Sequence, residues 1–299
     1  MCGIVGLFLK DAILEKDLGA LVAPMLVSLS DRGPDSTGFA VYSFGVPDRT
    51  KLTLRGTADT DFDEIAQKLG RALGEDVSVT RRDSHAVISI PLTKAELVQP
   101  ELAAIAPQIA LVGVGERMEL YKEVGSPAAV TARFGLCAMA GTHAIGHTRM
   151  ATESAVTTDG AHPFSTGADQ CLVHNGSLSN HNGLRRSLQR DGMAFYTEND
   201  TEVAAGYMTW KMRQGLSLQE TLRAALHDLD GFYTFVVATA SGFAVLRDPI
   251  ACKPAVMVET EAYVAFGTEY RALAQLPGVE YGHVFEPVPA KVYVWERPA

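Results

Sequence analysis

Residues 1–8 of the 299-residue chain read MCGIVGLF, a cysteine in second position followed by an apolar strand pattern. Removal of the first methionine, which is efficient before small side chains, would leave Cys2 with a free α-amino group beside its thiol. A thiol with a pKa of about 8.5 is little ionised at neutral pH, and an α-amino group titrating at about 8 is a suitable base for it. The alternative is that Cys2 is a small hydrophobic residue that opens a buried strand. The rest of the sequence must decide between the two.

The composition describes a globular protein that binds neither nucleic acid nor membranes. The apolar fraction of 47% is ordinary, and the net charge of −9 opposes non-specific binding to nucleic acid or anionic lipid. The N-terminus lacks a basic leader and no apolar run reaches about 18 residues, so we expect neither secretion nor a membrane span. The cysteines are widely spaced and form no CxxC pair. They predict reduced thiols and a cytoplasmic location.

The order of predicted elements indicates an α+β fold, because helices interrupt runs of antiparallel strands. One helix should begin at Asp17, and another should cover residues 201–213, directly after Asp200. Residues 51–140 read as a unit of their own, with the order βαββαβ and an extra strand. That order suits a small ferredoxin-like module. It contains no catalytic constellation, which leaves packing or docking as its role.

Polar residues stand at the ends of otherwise apolar strands, and the candidates are Cys2, Arg149 with Thr152, Asn175-Gly176, and Asp200. A thiol that attacks an amide needs donors for the developing oxyanion, and a side-chain amide with a glycine N–H can supply them. Arginine grips a substrate carboxylate, and a carboxylate at a helix N-terminus can hold a substrate ammonium. Each feature alone also fits a turn, a helix cap or a surface ion pair. Together they predict a pocket for a zwitterionic amino acid with a scissile amide.

The histidines offer a competing interpretation as a metal site, and the residues concerned are His143, His147, His162 and His174. Their spacing lacks the i, i+4 helical pair or the short clip of zinc sites, and no carboxylate is placed with them. We therefore predict no metal, and we expect these side chains to serve as structural hydrogen-bonding groups.

Several short stretches resemble the class II glutamine amidotransferases and occur in that family's order. They are MCGI at 1–4, RGPDS at 32–36, GHTR at 146–149, AHP at 161–163, HNG at 174–176, DTE at 200–202, RDP at 247–249 and GTE at 267–269. The resemblance covers the chain apart from roughly 51–140. It implies the N-terminal-nucleophile hydrolase fold, an αββα four-layer sandwich, extending over residues 1–299 with the small α+β module inserted.

The resemblance also implies the chemistry. Cys2 would attack the side-chain amide of glutamine to give a γ-glutamyl thioester and ammonia, and water would then release glutamate. The roles it implies are an oxyanion hole of Asn175 and Gly176, an α-carboxylate site of Arg149 and Thr152, an α-ammonium site at Asp200, and support from Arg32, Gly33, His147 and His174. Arg32 would order the loop around the nucleophile.

Two residues depart from the family pattern. Met150 stands where many members have tryptophan, and Glu153 stands where many have histidine. Both lie in the loop that closes over glutamine in the family, so the departures concern loop closure and its coupling to a partner.

The resemblance extends to partner subunits. The sequence ends about thirty residues after Glu269, with no sugar-isomerase or phosphoribosyltransferase region, so we expect a separate glutaminase subunit. It resembles the amidotransferase subunit of split glutamate-synthase-like enzymes such as N-methylglutamate synthase. That implies a flavin subunit and a β-helix subunit as partners, with no cofactor in this chain, FMN in a partner, and an iron–sulfur cluster as a further candidate there. Residues 51–140 would be a docking surface.

Two other classes of function stay open at this point. A non-catalytic regulatory subunit would bind glutamine or glutamate without turnover, and the departures at Met150 and Glu153 are its support. An N-terminal-nucleophile amidase would cleave a different amide. Arg149 and Asp200 favour an amino-acid zwitterion over that second alternative.

Overall fold

The computed structural model describes residues 2–151 and 156–297. Sixteen strands lie in these ranges, in chain order β1 (Gly3–Leu9), β2 (Ser36–Tyr42), β3 (Arg49–Arg55), β4 (Ser78–Arg82), β5 (His85–Pro91), β6 (Ala110–Gly115), β7 (Met118–Val124), β8 (His143–Arg149), β9 (Phe164–Gly167), β10 (Gln170–Leu178), β11 (Gly231–Ala238), β12 (Gly242–Arg247), β13 (Val256–Glu259), β14 (Tyr263–Gly267), β15 (His283–Phe285) and β16 (Val292–Glu296). The α-helices in the same ranges are α1 (Leu18–Val27), α2 (Phe62–Leu73), α3 (Ala95–Ile105), α4 (Pro127–Phe134), α5 (His181–Arg190), α6 (Asp200–Arg213) and α7 (Leu218–Asp228).

Two antiparallel sheets form the centre of the molecule. The larger has the order β15-β13-β14-β1-β8-β2-β7, and the smaller has the order β16-β12-β11-β10-β9. Strand β1 lies in the middle of the larger sheet, where it pairs with β14 on one side and β8 on the other. The start of the chain is therefore held by hydrogen bonds on both edges.

The alternation of side chains along β1 explains the layering. Ile4 and Phe8 point toward the smaller sheet and join the core between the sheets, whereas Val5 and Leu7 point to the opposite face. Gly6 also faces the smaller sheet, and a Cβ there would lie 3.3 Å from the Phe243 ring. Since both faces of β1 are buried, the strand reads as a continuous apolar run.

Helices cover the outer face of each sheet. Helices α1 and α4 pack on the larger sheet, and α5, α6 and α7 pack on the smaller one. The order of layers is helix, sheet, sheet, helix, which confirms the predicted α+β class and the αββα sandwich. In the part of the chain that the structure describes, no helix has both the length and the apolar character needed to cross a membrane.

A third sheet, with the order β4-β5-β3-β6, is built from residues within 49–115 and carries α2 and α3 on one face. Its elements follow the order βαββαβ, which is that of a split βαβ unit. The segment predicted as a module, 51–140, extends beyond this sheet. The remainder belongs to the main body, because β7 pairs with β2 and α4 packs against α1.

Candidate active site

The end of β1 brings Cys2 to the end of β8. Gly3 pairs with Thr148, so Cys2 lies level with Arg149, the last residue of β8. On the other side of β8, Arg149 pairs with Ser36 of β2. Cys2 and Arg149 thus lie side by side at one end of the central strands of the larger sheet, although about 147 positions separate them in the sequence.

The backbone of Cys2 is fixed by two side chains. Its carbonyl oxygen accepts hydrogen bonds from Arg32 Nε at 3.1 Å and from Asn175 Nδ2 at 3.3 Å. The guanidinium of Arg32 also pairs with Glu269, which Arg271 holds at 2.6 Å. Arg32 therefore lies beside the predicted nucleophile, and Asn175 reaches the same residue from the smaller sheet.

The backbone at Gly176 requires glycine. Its φ is +147°, and a Cβ there would lie 2.0 Å from the carbonyl oxygen of Phe232 in β11. No other residue fits without moving β11. The side chain of Asn175 and the backbone of Gly176 consequently stand together near the C-terminal end of β10, where the sequence places the oxyanion hole. Their role as oxyanion donors remains a prediction.

The stretch at 32–36 fixes the position of Arg149, which is buried. A Cβ on Gly33 would lie 2.3–2.5 Å from backbone atoms of Thr148 and Arg149, so only glycine allows this approach. Asp35 donates its backbone N–H to the Arg149 carbonyl at 3.0 Å, and its carboxylate accepts from the N–H of Ala151 at 2.8 Å. Sequence reasoning assigned no role to Asp35. Its position directly after a Gly-Pro turn is the signal for such a loop-fixing carboxylate.

Asp200 is the first residue of α6, which begins one residue before the predicted start at 201, and its carboxylate accepts from the N–H of Leu178 at 2.9 Å. It lies 3.7 Å from His174 Nδ1. Burial raises its pKa, but interactions with His174, the Leu178 N–H and His181 outweigh burial and lower the pKa to about 2. Asp200 is thus an anion at neutral pH, as an ammonium-binding group must be.

Three buried histidines lie behind this group. The rings of His147 and His162 stack at 4.1 Å, and His147 Nε2 lies 3.1 Å from the His174 carbonyl oxygen. Thr201 Oγ1 contacts both His174 Nδ1 at 3.1 Å and His162 Nε2 at 3.3 Å. Burial, with nearby positive charge, lowers the pKa of His147 to about 3 and that of His162 well below its usual value. Among the described residues, no group of three or more His, Cys, Asp or Glu is arranged to hold a metal ion.

Three residues of the sequence prediction lie outside the described residues: Met1, Thr152 and Glu153. Met150 is described and is half exposed at the end of β8. Sequence reasoning also gave no role to Arg55 and Lys122, which contact residues 159 and 161 beside this site. Neither position carries a local motif, and only the folded chain shows what they contact.

The carboxylate of Asp200 should make the free energy of unfolding depend on pH in the acid range. Its folded pKa of about 2 is below the ordinary 3.8, so the contribution is fully present above about pH 4 and is lost as the pH falls through about 2. We expect Asp200→Asn to lower the free energy of unfolding by about 1–2 kcal/mol at pH 6, with a smaller difference at pH 3. Urea denaturation followed by circular dichroism measures this.

The matched control for this experiment is Asp230→Asn, which changes an exposed carboxylate. It should leave the pH dependence of unfolding as in the wild type. Parallel curves for wild type and Asp200→Asn from pH 6 to pH 3 would contradict the ion pairing described for Asp200.

The order of layers and strands is that of the N-terminal-nucleophile hydrolases. A family model described as a glutamine amidotransferase domain matches residues 147–275. The chain is 57% identical over 298 residues to the glutamine amidotransferase-like protein GlxB of Rhizobium meliloti, with 99% of each chain covered. It is 31% identical over 162 residues to the isomerizing glutamine–fructose-6-phosphate aminotransferase of Bradyrhizobium diazoefficiens, covering 54% of this chain and 26% of that one.

Among solved structures, glutamine phosphoribosylpyrophosphate amidotransferase from B. subtilis superposes with a TM-score of 0.63 at 19% identity. The match covers 99% of this chain and 47% of that chain, so this protein spans about half the length of that enzyme. At such low identity the likeness concerns the fold alone. The full-length relative at 57% identity shows the family. The chain belongs to the class II glutamine amidotransferases and is an enzyme of this type.

Proposed function

We propose that this chain is a glutaminase subunit that releases ammonia from glutamine through a Cys2 thioester and supplies it to a partner synthase. The observation that carries the proposal is the double hydrogen bond to the Cys2 carbonyl. Arg32 and Asn175 hold that residue where the two sheets meet, beside Arg149 at the end of β8. A nucleophile held in place from two directions, by Arg32 in the turn before β2 and by Asn175 in β10, is pre-organised for attack.

The proposed reaction conserves atoms and charge. The Cys2 sulfur forms a bond to the side-chain carbonyl carbon of glutamine, and the carbon–nitrogen bond breaks. The thiol proton passes, by way of the α-amine freed when Met1 is removed, to the departing ammonia. Water then cleaves the thioester, which returns the thiol and yields glutamate. In this scheme Asn175 and Gly176 stabilise the oxyanion.

The substrate-binding part of the proposal rests on charge. Arg149 would bind the α-carboxylate with Thr152, and Asp200 would bind the α-ammonium. The lowered pKa of Asp200 supports its part, because the carboxylate stays ionised throughout the neutral range. A zwitterionic substrate with a side-chain amide suits these charges better than a neutral amide does.

We further propose that the partners are a glutamate-synthase-like flavin subunit, carrying FMN, and a β-helix subunit, as in N-methylglutamate synthase. An iron–sulfur cluster would also lie in a partner. The residue resemblance is the support for this assignment. The β4-β5-β3-β6 sheet pairs with neither main sheet and is the proposed docking surface. Cysteines free of disulfides among the described residues agree with a cytoplasmic complex.

The proposal predicts that partner subunits stimulate turnover. Ammonia and glutamate release from glutamine should occur in a one-to-one ratio and rise about 10-fold or more with the partners, as expected when docking completes a site. The purified chain should also show the mass that lacks one methionine. A processed, partner-saturated complex that binds glutamine without turnover would favour the regulatory alternative. Hydrolysis of other amides in preference to glutamine would favour the general amidase.

A further inference from the structure

Residues 158–161 precede His162, and side chains of β3 and β7 bind this segment by hydrogen bonds and an ion pair. Lys122 of β7 donates from Nζ to the carbonyl oxygens of Asp159 at 3.1 Å and Ala161 at 2.9 Å. Arg55 of β3 forms an ion pair with the Asp159 carboxylate. Thr158 hydrogen-bonds the side chain of Glu123, also in β7. Four contacts thus join residues 158, 159 and 161 to β3 of the third sheet and to β7 of the larger sheet.

Lys122 is unusual because its ammonium group is buried. The side chain is 6% exposed, and Nζ lies 4.4 Å from the centre of the Phe164 ring. Burial, followed by repulsion from Arg55, lowers its pKa to about 8, so it is mostly charged at neutral pH. Gly38 of β2 pairs with Lys122, and a Cβ on this glycine would lie 2.6 Å from Lys122 Cβ. The fold therefore makes room for this lysine, and a buried cation is kept only where its donors are satisfied.

The opposite side of the same segment touches the predicted glutamine-binding groups. Asn199, the residue that caps α6 just before Asp200, donates from Nδ2 to the Gly160 carbonyl at 3.4 Å. A Cβ on Gly160 would lie 3.5 Å from Nη1 of Arg149. Gly160 therefore lies next to Arg149, which is predicted to bind the α-carboxylate of glutamine. It also lies next to the N-terminus of α6, which carries Asp200, the residue predicted to bind the α-ammonium group.

We propose that Arg55 and Lys122 are positioning residues for glutamine, acting through residues 158–161 on Arg149 and Asp200. A shift of β3 would move Asp159 and with it residues 158–161, which lie against Arg149 and the N-terminus of the helix that carries Asp200. The third sheet is then a regulatory element of the active site, in addition to any docking role. The inference rests on the glutamine-binding roles proposed above. In this proposal Arg55 and Lys122 do not contact the substrate.

The expected effect of these residues is on binding. The pair between Arg55 and Asp159 is partly exposed, and such pairs change an equilibrium only modestly, so Arg55→Glu should weaken glutamine binding about 3- to 10-fold. Lys122→Met keeps the apolar stem but removes both bonds to backbone carbonyls, and should weaken binding about 10-fold or more. In both variants kcat should change much less than KM, since the reacting groups remain in place.

The test measures KM and kcat for glutamine in the partner complex, and the Kd for glutamine in a Cys2→Ala background by calorimetry. The rescue variant Arg55→Glu with Asp159→Arg reverses the ion pair and should restore KM and Kd to within about 2-fold of wild type. The matched control is Lys68→Met, which breaks the Lys68–Glu64 pair on α2 in the same part of the chain. It should leave both constants unchanged.

The outcomes separate the two proposals. Wild-type complex that neither binds nor hydrolyses glutamine would overturn the proposed function itself. Wild type that does so, with folded Arg55→Glu and Lys122→Met variants keeping wild-type KM and Kd, would overturn the positioning role alone. Failure of the reversed pair to restore affinity would also overturn it, because the effect of Arg55 would then not pass through Asp159.

Discussion

Replacing Cys2 by alanine is expected to reduce ammonia release from glutamine by about 10⁴-fold or more, because loss of a nucleophile leaves only binding and oxyanion stabilisation to accelerate the reaction. Cys2 directly precedes the central strand β1, and Arg32 and Asn175 hold its carbonyl in place. Glutamine binding should persist, since the predicted anchors for its α-carboxylate and α-ammonium are elsewhere. Turnover and calorimetry on the same preparation measure the two effects separately.

The matched control replaces other thiols. Cys137 and Cys252 are exposed and free, and their alanine variants should keep wild-type turnover. Alkylation of the wild type should add a label at Cys2 together with loss of activity, and excess glutamine should slow both. Turnover that survives in Cys2→Ala, or that falls equally in Cys252→Ala, would contradict the assignment of the nucleophile.

Much of the fold is predictable from the sequence because its central strand, β1, carries apolar residues on both faces. The run at residues 3–9 is apolar throughout, as a strand buried between a helical layer and a second sheet must be. The helix at Asp200 is predictable to within one residue: the sequence places its start directly after Asp200, and the structure shows that Asn199 is the cap. The close approaches at Gly33 and Gly176 are visible only in the folded chain, because these glycines fit turns equally well in the sequence.

The contacts of Arg55, Lys122 and Asp159 were not predictable in the same way. Lys122 occupies a strand with the sequence MELYKEV, in which a lysine between tyrosine and glutamate is typical of an exposed edge. Its burial arises from a loop that returns from residue 159 and from Gly38 on the neighbouring strand. Long-range contacts of this kind depend on tertiary packing and leave no local period in the sequence. The pairing of β7 with β2, which joins the later part of the 51–140 segment to the larger sheet, is a long-range contact of the same kind.

The side-chain amide of Asn175 can donate a second hydrogen bond in addition to the one that it makes to Cys2. A side-chain amide carries two N–H donors, and the Cys2 carbonyl uses one of them at 3.3 Å. Among residues 2–151 and 156–297 no other acceptor binds this amide, so its second N–H can donate to a substrate oxygen without loss of the first contact. One side chain can therefore hold the nucleophile and stabilise the oxyanion. The neighbouring Gly176 backbone would complete the pair of donors.

Asn175→Ala is accordingly expected to lower kcat by about 10²–10³-fold with little change in KM, the usual cost of removing one oxyanion donor. A tetrahedral adduct of Cys2 supplies a more specific measurement. The aldehyde analogue of glutamine, which forms a hemithioacetal with a thiol, should bind Asn175→Ala far more weakly than wild type, whereas glutamate should bind both about equally. Interactions made only in the transition state show this difference between analogue and product.

Asn175→Asp separates the oxyanion role from simple support of Cys2. The carboxylate matches the amide in size but donates no hydrogen bond and places negative charge near the developing oxyanion, so kcat should fall further than in Asn175→Ala. If Asn175 only supported the Cys2 backbone, Arg32→Ala would lower kcat to a similar extent, because Arg32 donates to the same carbonyl at 3.1 Å. Equal losses in the Arg32 and Asn175 variants, with equal weakening of aldehyde and glutamate binding, would show that Asn175 holds the nucleophile and does not stabilise the oxyanion.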